Sequence, residues 1–433
     1  VLKTRWNKGT VVGQRCDIEL MVDACSLELK NEQKSFVNVS KEEMTRFNRF
    51  WDRHKASPLR GRDEIVRAFC PGIYGLHLVK LIMMMSLIGG VPRQDDSGTR
   101  VRGESHLLIV GDPGTAKSVL LKYCAALSPR GVLTTGIGTT SAGLTVAAAK
   151  DQTSGEWVLD AGALVLADGG LCCIDEFDGI READRGAIHE AMEQQTLSVA
   201  KAGMVCTLDT RTTVFAAVNP KGGKFKMDGS SKLPLTLAMA SPLMSRFDVI
   251  LTLLDDRNEE WDRALSSFIL NGAPPASLNP DPLSNWSHDM LRSYLFYVKT
   301  AVHPTLSRSA ETLLGTYYTR QRASGTSART TVRLLESLIR LSQAHARLML
   351  RPLATLQDAY FAILAVESSA LPSHDAAGRA VPAAMHAELS EDPDGDYTTR
   401  VKELVRELGL EGRVAAAEMQ RPGGAWRKRT PPR

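Results

Sequence analysis

The sequence predicts an α/β fold, in which a parallel sheet is flanked by helices, a helical domain follows it and a short β region precedes it. Between about residues 60 and 270, five apolar runs of strand length alternate with amphipathic segments. One of these runs leads directly into a glycine-rich turn, and residues 287–369 carry helical patterns without a clear strand. Strands separated by helices are typical of parallel sheets that are covered on both faces.

The five predicted strands are short and apolar, as buried strands of a parallel sheet usually are. They cover residues 107–110, 132–135, 171–174, 213–218 and 249–254. Because the carboxyl ends of parallel strands share one edge of the sheet, polar residues that follow these runs are the first candidates for a functional site.

The region before the sheet reads as the end of a small β domain over residues 1–40. Apolar and polar residues alternate in 16–22 and 26–30. The chain begins with Val1 inside such a pattern, so we expect the natural protein to continue on the N-terminal side. Ser40 followed by Glu43 is typical of a capping box and predicts a linker helix within 41–60.

The rest of the chain is predicted to form three further parts. The sheet domain covers 61–275, the helical domain 276–370 and a C-terminal extension 371–433. A linker rich in Pro, Ala, Ser and Asn, 271–285, separates the first two. Residues 421–433 contain five basic residues and three prolines, and we expect this tail to be disordered.

Bulk composition narrows the class of protein without selecting a function. The 433 residues are 43% hydrophobic and 24% charged, which is ordinary for a globular protein. The net charge of +4 neither demands nor excludes nucleic acid, since a local basic stripe can exist within a balanced total. The longest apolar stretch, 81–88, is too short to span a bilayer, so we expect no membrane partner. The seven cysteines form no Cys-x-x-Cys pair, and we expect no zinc site.

The glycine-rich turn at 111–118 reads Gly-Asp-Pro-Gly-Thr-Ala-Lys-Ser and predicts a phosphate-binding loop. Backbone N–H groups of such a turn, and the start of the helix after it, attract phosphate oxygens. Lys117 is expected to reach the β- and γ-phosphates of ATP, and the Ser118 hydroxyl to ligate Mg²⁺. Glycine is usual where Ala116 stands; we expect alanine to be tolerated, since a residue that enters a helix needs no positive φ. The predicted nucleotide-binding residues are Gly111, Asp112, Pro113, Gly114, Thr115, Ala116, Lys117 and Ser118.

The predicted strand 171–174 ends in two acids. Asp175 is expected to be the second Mg²⁺ ligand. Glu176 can turn inward where the strand ends and is expected to position and deprotonate the attacking water. The alternative is a strand that ends in a solvated acidic turn, and Asp178 fits a loop or cap acid better than a ligand.

Two further residues stand where ATP chemistry would use them. Asn219 follows the predicted strand 213–218, where it could hold the attacking water; the alternative is a turn asparagine before Pro220. Arg246 precedes the predicted strand 249–254 and could stabilise charge in the transition state; the alternative is a surface arginine.

Taken together, these segments resemble the minichromosome maintenance (MCM) family, hexameric ring ATPases of the AAA+ superfamily. The family's three signatures are Gly-Asp-Pro-x-x-x-Lys-Ser, Ile-Asp-Glu-Phe-Asp and Ser-Arg-Phe-Asp, which stand here at 111–118, 174–178 and 245–248. The similarity covers roughly 15–370 and extends through 135–145, 189–195 and 198–203. It implies an AAA+ P-loop core, a small α-helical lid and an N-terminal OB-like region, of which only the last strands stand in this chain.

The resemblance also implies how the work is divided between neighbouring subunits. Lys117, Ser118, Asp175, Glu176 and Asn219 would serve the ATP bound to their own subunit. Arg246 would be the arginine finger that enters the neighbour's site. Arg333 matches the family's sensor-2 arginine, which also acts across the interface; without the resemblance it would read as an exposed helix arginine.

Other segments match parts of the family that contact adenine or DNA. Tyr74, within Pro-Gly-Ile-Tyr-Gly at 71–75, matches the segment near the adenine. Residues 138–168 resemble the helix-2 insert and 198–203 the pre-sensor-1 hairpin, both of which point to DNA in the central channel. Lys201 is the best candidate for a DNA phosphate contact; the alternative is a solvated lysine at a hairpin tip.

We therefore expect an ATP-dependent DNA helicase or translocase subunit that uses ATP and Mg²⁺ and acts on single-stranded and forked DNA. Residues 154–157, 171–174 and 261–270 resemble the repair-associated ninth paralogue most, although the eighth paralogue has much of the same sequence in these segments. This implies a role in repair by homologous recombination, a nuclear location and a homo- or hetero-hexamer with other MCM subunits, the eighth paralogue among them. The alternatives are an ATP-binding scaffold subunit and another AAA+ remodeller, such as a transcription activator or a chelatase motor.

Overall fold

The computed structural model describes residues 2–6, 18–22, 39–94, 100–137, 141–150, 157–201, 204–220, 241–253, 259–271, 286–324, 331–369 and 392–412. The chain divides into two compact units, Val1–Ser35 and Phe36–Arg433. In the first unit, β1 (Leu2–Trp6) pairs antiparallel with β2 (Ile18–Val22). The predicted strand at 26–30 lies outside the described residues, so the OB-like assignment stays a prediction.

The second unit begins with three helices and a small strand pair. These elements are α1 (Lys41–Arg53), α2 (Pro58–Ala68), α3 (His77–Ile88), β3 (Arg93–Gln94) and β4 (Arg100–Val101). The predicted capping box at the start of α1 is confirmed. The Glu43 N–H donates to Ser40 Oγ over 3.2 Å, and the Ser40 N–H donates to Glu43 Oε2 over 2.9 Å. The start of a helix leaves four backbone N–H groups without a partner inside the helix. The capping box pairs two of them, those of Ser40 and Glu43.

The sheet domain follows as an alternation of strands and helices. In chain order its elements are β5 (Leu107–Gly111), α4 (Lys117–Leu127), β6 (Gly131–Thr135), α5 (Ser141–Leu144), β7 (Val146–Lys150), β8 (Trp157–Ala161), α6 (Ala163–Leu166), β9 (Leu171–Asp175), α7 (Glu182–Gln194), β10 (Thr196–Lys201), β11 (Met204–Asp209), β12 (Thr213–Val218), α8 (Ser241–Met244), β13 (Val249–Leu253) and α9 (Glu259–Asn271). A 3₁₀ turn, Phe177–Gly179, precedes α7.

A five-stranded parallel sheet with the order β13-β5-β12-β9-β6 forms the centre of this domain. Its strands are the five that the apolar runs predict, so the α/β fold class is confirmed. Successive residues of β5 pack on opposite faces, since side chains alternate along a strand. Leu107 and Ile109 join one buried cluster, with α4 and the helical domain, while Leu108 and Val110 join another, with α7.

Two antiparallel hairpins extend from the sheet domain. β7 pairs with β8, and β10 pairs with β11. Val146 of the first hairpin and Leu197 and Val199 of the second lie in one small buried cluster, so the hairpins pack on each other.

In the described residues of the helical domain, there are four helices and one strand pair, and the sequence did not predict the strand pair. Its elements are α10 (His288–Ala301), β14 (Thr305–Leu306), α11 (Arg308–Ser324), α12 (Val332–Leu348), β15 (Leu353–Ala354) and α13 (Leu356–Ser369). β14 and β15 pair in parallel over two residues each. The expectation of no strand was wrong here, because a two-residue strand is too short to show alternation.

The C-terminal extension contributes one further helix, α14 (Pro393–Glu407). It packs against the helices before the sheet and against α13, where the Tyr397 and Phe361 rings stack with centroids 6.1 Å apart. Val401 and Val405 are fully buried. The tail that we expect to be disordered, 421–433, lies outside the described residues. Among the described helices, none combines the length and the apolar character that crossing a membrane requires.

Candidate nucleotide site and its second arginine cluster

The phosphate-binding loop joins the end of β5 to the start of α4. Gly111 lies so close to β13 that a Cβ there would be 2.8 Å from the Leu253 Cβ, so this position accepts only glycine without rearrangement. Gly114 has φ +90, and among the described residues a Cβ at this position would meet nothing within 4 Å. The loop therefore has free space above it at the point where its backbone curves.

Lys117 is held over this loop. Its Nζ donates to the carbonyl oxygens of Gly111, over 2.8 Å, and Asp112, over 2.7 Å. The side chain is 8% exposed, and burial lowers the pKa of the ammonium, while the Asp112 and Asp175 carboxylates oppose this. Since β5 and β9 both pair in parallel with β12, the loop after β5 and Asp175 at the end of β9 lie at the same edge of the sheet, one strand apart.

Ala116 corrects one expectation from the sequence. It has φ +62 and ψ +20, which is the left-handed region that favours glycine. Alanine is tolerated here, but the reason given from the sequence was wrong, since the residue before the lysine does need a positive φ. An L-residue in this region costs on the order of 1–3 kcal/mol, so the loop is strained at this position.

The remaining predicted residues of the ATP half lie at the same edge of the sheet. Because β12 lies between β5 and β9, Asn219 follows the strand that separates the loop from Asp175. Asp175 is partly buried, and the Glu176 N–H donates to its Oδ1 over 3.0 Å. Glu176 is exposed and has φ +51, so the chain turns sharply at this residue, as the sequence expectation requires.

These residues suit a nucleotide with a divalent cation. The helix start at Lys117, the open backbone at Gly114 and the buried ammonium provide positive potential for phosphate oxygens. The exposed Ser118 hydroxyl and the Asp175 carboxylate are hard oxygen donors, which Mg²⁺ prefers.

Tyr74 lies in the segment that leads into α3. Its ring packs against two aromatic rings of α9, with centroid distances of 5.2 Å to Trp261 and 5.5 Å to Phe268. The same segment reaches the phosphate-loop helix, since Phe69 packs edge-on against Tyr123 of α4 at 5.1 Å. Trp261 and Phe268 are aromatic partners that the sequence did not identify.

Arg246 and Arg333 do not lie with the residues above. Arg246 precedes β13, and the Asp248 N–H donates to the His106 carbonyl in front of β5. This is the amino edge of the sheet. The length of β5, which rises about 3.3 Å per residue along the strand, separates this edge from the phosphate-binding loop. Arg333 of α12 reaches the same place, where its Nη1 donates to Ser245 Oγ over 3.3 Å. The structure therefore brings the two predicted arginines together at the edge opposite Lys117.

Asp248 anchors this arginine cluster to the helical domain. Its fully buried carboxylate pairs with Arg340 Nη2 over 2.5 Å and Arg102 Nη2 over 3.3 Å, and it accepts from the Ser337 hydroxyl. Burial by itself would raise the pKa of Asp248, but Arg340 and Arg102 outweigh it and hold the pKa far below its usual range. Since α12 carries both Ser337 and Arg340, this network fixes the helix that carries Arg333.

Two known family profiles match most of this chain. The profile of the MCM P-loop domain matches residues 54–273, and that of the MCM AAA-lid domain matches 289–370. The chain belongs to the MCM family.

Individual MCM proteins are similar over most of this chain. A probable DNA helicase MCM9 from Oryza sativa subsp. indica is 52% identical over 399 residues, 91% of this chain and 58% of the relative. A probable DNA helicase MCM9 from Arabidopsis thaliana is 51% identical over 400 residues, 91% of this chain and 60% of the relative. A probable DNA helicase MCM8 from the same plant is 40% identical over 340 residues, 68% of this chain and 42% of the relative. The chain thus spans somewhat over half the length of the MCM9 relatives that it matches.

Within the MCM family, the P-loop domain implies nucleotide binding, which agrees with the loop at 111–118. Lys201 is the last residue of β10 and stands opposite Met204 across the hairpin. The residues of that turn, 202–203, lie outside the described part of the chain. Lys201 is thus at the hairpin end, as the sequence predicts, and its role toward DNA stays a prediction.

Sequence reasoning also missed the residues that hold the arginines. Glu193 lies between Arg246 and Arg333 and pairs with both. It stands inside the MCM-like segment 189–195, but no role was assigned to it. A usable signal existed, because an acid in the last turn of a helix opposes the helix dipole and often has a partner elsewhere.

Proposed function

We propose that this chain is the ATPase portion of a DNA helicase subunit that works in a ring of MCM subunits. The observation that carries the proposal is the separation of the site into two halves. Lys117, Asp175 and Glu176 lie at the carboxyl edge of the sheet, and Arg246 and Arg333 lie at the amino edge. In a head-to-tail ring, the amino edge of one subunit can face the carboxyl edge of the next.

In this proposal, each residue at the carboxyl edge has a separate task for ATP bound to its own subunit. Lys117 exchanges its two loop carbonyls for phosphate oxygens and neutralises their charge. Ser118 and Asp175 would hold Mg²⁺, which supplies Lewis-acid stabilisation of the phosphate charge when bound. Glu176 accepts a proton from the attacking water, and Asn219 orients that water.

The two arginines complete the neighbouring site. A guanidinium that enters from the next subunit stabilises charge on the transferred phosphoryl group, and this is the role we assign to Arg246. Arg333 acts beside it from the lid. Hydrolysis then depends on contact between subunits, so it can be coupled to movement of one subunit against the next.

The proposed DNA contacts lie on the hairpins. Lys201 at the end of β10 would contact a backbone phosphate of single-stranded or forked DNA in the ring channel. Such contacts follow the phosphate backbone, so we expect little base specificity. From the resemblance of the sequence to the repair-associated MCM paralogues, we also propose that the ring partners include an MCM8-type subunit and that the setting is recombination repair in the nucleus.

The test is ATP turnover by the full chain, with and without single-stranded and forked DNA. Glu176→Gln keeps the shape of the side chain but removes the base, so we expect turnover to fall by about 10²- to 10⁴-fold. Binding of a fluorescent ATP analogue should stay close to wild type, because Lys117 is intact. Asp178→Asn, in the same turn, is the matched control and should keep most of the activity.

Wild-type turnover as low as that of Glu176→Gln, in every DNA condition and with any MCM partner, would contradict the enzyme proposal. With ATP binding retained, that result would favour the scaffold alternative.

A further inference from the structure

We propose that Glu193 is a positioning residue that holds Arg246 and Arg333 as one pair for insertion into the neighbouring subunit's ATP site. The inference rests on the proposed function of the two arginines and adds a residue to it. Glu193 pairs with these arginines at the amino edge of the sheet, whereas the phosphate loop follows the carboxyl end of β5.

The contacts show a carboxylate shared between two guanidinium groups. Glu193 Oε2 accepts from Arg246 Nε over 3.0 Å and from Arg246 Nη2 over 2.7 Å. Its other oxygen, Oε1, accepts from Arg333 Nη2. One carboxylate thus uses both oxygens to bridge a loop of the sheet domain and a helix of the lid, and charge-assisted bonds of this kind also fix direction.

Helix electrostatics explain why this bridge is favourable. Glu193 lies in the last turn of α7, where the helix dipole disfavours a negative charge, and Arg333 is the second residue of α12, where it disfavours a positive one. Each charge stands at the unfavourable end of its own helix. Pairing the two across the domains offsets both penalties, which gives α7 and α12 a specific mutual position.

Charge repulsion is the second reason that the pair needs Glu193. Two guanidinium groups directed to one place repel each other, and a carboxylate between them lowers the net charge of the group from +2 to +1. Burial by itself would raise the pKa of Glu193, but the Arg246 hydrogen bonds and the charges of Arg333 and Arg246 outweigh it and lower the pKa. Glu193 therefore stays ionised at neutral pH.

Exposure of the three side chains is consistent with a group that is presented to a partner. Arg246 is 19% exposed, Arg333 37% and Glu193 45%. Arg102 supports the base of the group, because its guanidinium donates to the carbonyls of Met192 and Arg246. Arg102 thus fixes the backbone at Met192 and Arg246, while the charged groups of the three side chains keep part of their surface exposed to solvent.

The first experiment compares Glu193→Gln with wild type in steady-state ATP turnover by the full chain and its ring partners. Gln is isosteric but removes the charge, so the arginines lose their shared anchor. Misplacement of catalytic groups by about 1 Å costs on the order of 10²-fold, and we expect kcat to fall 10- to 100-fold. KM for ATP should stay within about twofold, because the residues that bind ATP are in the other half of the site. Glu193→Asp, which keeps the charge, should recover part of kcat.

Mixing experiments locate the defect. Lys117→Ala subunits cannot use ATP themselves but carry intact arginines, so mixing them with Glu193→Gln subunits should restore activity. Mixing Glu193→Gln with Arg246→Ala should restore none, since both changes damage the arginine side. Glu311→Gln, which removes the same charge from the exposed first turn of α11, is the matched control and should behave as wild type.

Hydrogen exchange separates this inference from the proposed function. In Glu193→Gln, amides of the first turn of α12 should exchange faster than in wild type and in Glu311→Gln, whether or not ATP is hydrolysed. Unchanged exchange together with wild-type kcat would overturn the positioning role, as would a rise in KM without a fall in kcat. Absence of wild-type turnover would reject the proposed function alone, because the exchange result would still decide whether Glu193 orders the pair.

Discussion

His106 is a buried side chain whose protonation state affects the stability of the fold. It stands directly before β5 and is 1% exposed. Its Nδ1 accepts from the Val214 N–H over 3.1 Å, and its Nε2 is 3.2 Å from the Met192 carbonyl, to which an N–H must donate. Both bonds together require the neutral ring. Burial, assisted by Arg102 and Arg340 and opposed by Asp248 and the Met192 carbonyl, lowers the pKa of His106 to about 3.

This gives a pH prediction with a defined sign. The unfolded chain binds the His106 proton near pH 6.5 and the folded chain near pH 3. The stabilisation by the neutral ring is therefore complete above pH 6.5 and is lost, by about 1.4 kcal/mol for each pH unit, as the pH falls towards 3. His106→Gln, which can make both hydrogen bonds without titrating, should have a shallower pH dependence. Urea unfolding at pH 7, 6, 5 and 4 measures this, and parallel curves for the two proteins would refute it.

At the same scale, the sequence predicted residue types better than backbone conformations. Lys117, Asp175 and Glu176 follow predicted strands, and strand ends in a parallel sheet converge by geometry, so their meeting could be foreseen. The positive φ of Ala116 could not, because the following helix start suggested an ordinary entry. Glu193 was missed for another reason: its position near a helix end suggests that it has a partner, but its partners lie 53 and 140 positions away, and a single sequence does not identify them.

At the scale of elements, the contact between α12 and the start of β13 decides where the lid stands. Arg340 and Ser337 of α12 meet Asp248, whose side chain is 2% exposed. Removal of one partner from a buried ion pair leaves the others without compensation, which costs about 3–5 kcal/mol. The Asp248 network is therefore a structural joint between the sheet domain and the lid.

Asp248→Asn should lower the free energy of unfolding by about 3–5 kcal/mol, since Arg340 and Arg102 would remain buried without the carboxylate. Asp209→Asn is the matched control, because Asp209 also pairs with an arginine, Arg211, at 2.8 Å but is 58% exposed. An exposed pair of this type contributes under about 1 kcal/mol. Denaturant unfolding of both variants checks the difference, and equal losses would show that the buried network is not a joint.

Elements differed in how well the sequence predicted them. The five sheet strands were predicted to within a residue or two, because each is an uninterrupted apolar run. β14 and β15 were missed, since two residues cannot show a period. The sequence did not predict α14, because its partners on α2 and α13 are distant in sequence. Strand order and the position of the lid likewise depend on tertiary contacts.

At the scale of the whole molecule, the main result is a division of the candidate ATP site between the two edges of one sheet. Lys117, Asp175 and Glu176 occupy one edge, and Arg246 and Arg333 the other, with Glu193 between the arginines. The MCM family resemblance implied action across an interface, and the parallel pairing of β13 with β5 gives a physical reason for it. An arginine that precedes β13 stands at the wrong end of the sheet to serve the loop that follows β5.

A mixing experiment measures this division directly. Lys117→Ala and Arg246→Ala subunits of the full chain are each assayed alone for ATP turnover and then mixed in equal amounts with any ring partner they need. With random mixing, about one quarter of head-to-tail interfaces pair an intact Lys117 with an intact Arg246. Glu176→Gln mixed with Lys117→Ala is the control, since both changes damage the same half of the site and no interface is complete.

The division predicts that each variant is inactive alone, that the Lys117→Ala and Arg246→Ala mixture recovers turnover at about one quarter of the wild-type rate, and that the control mixture stays inactive. No recovery in the first mixture, with the two variants shown to occupy the same assembly, would contradict a site shared between neighbouring subunits.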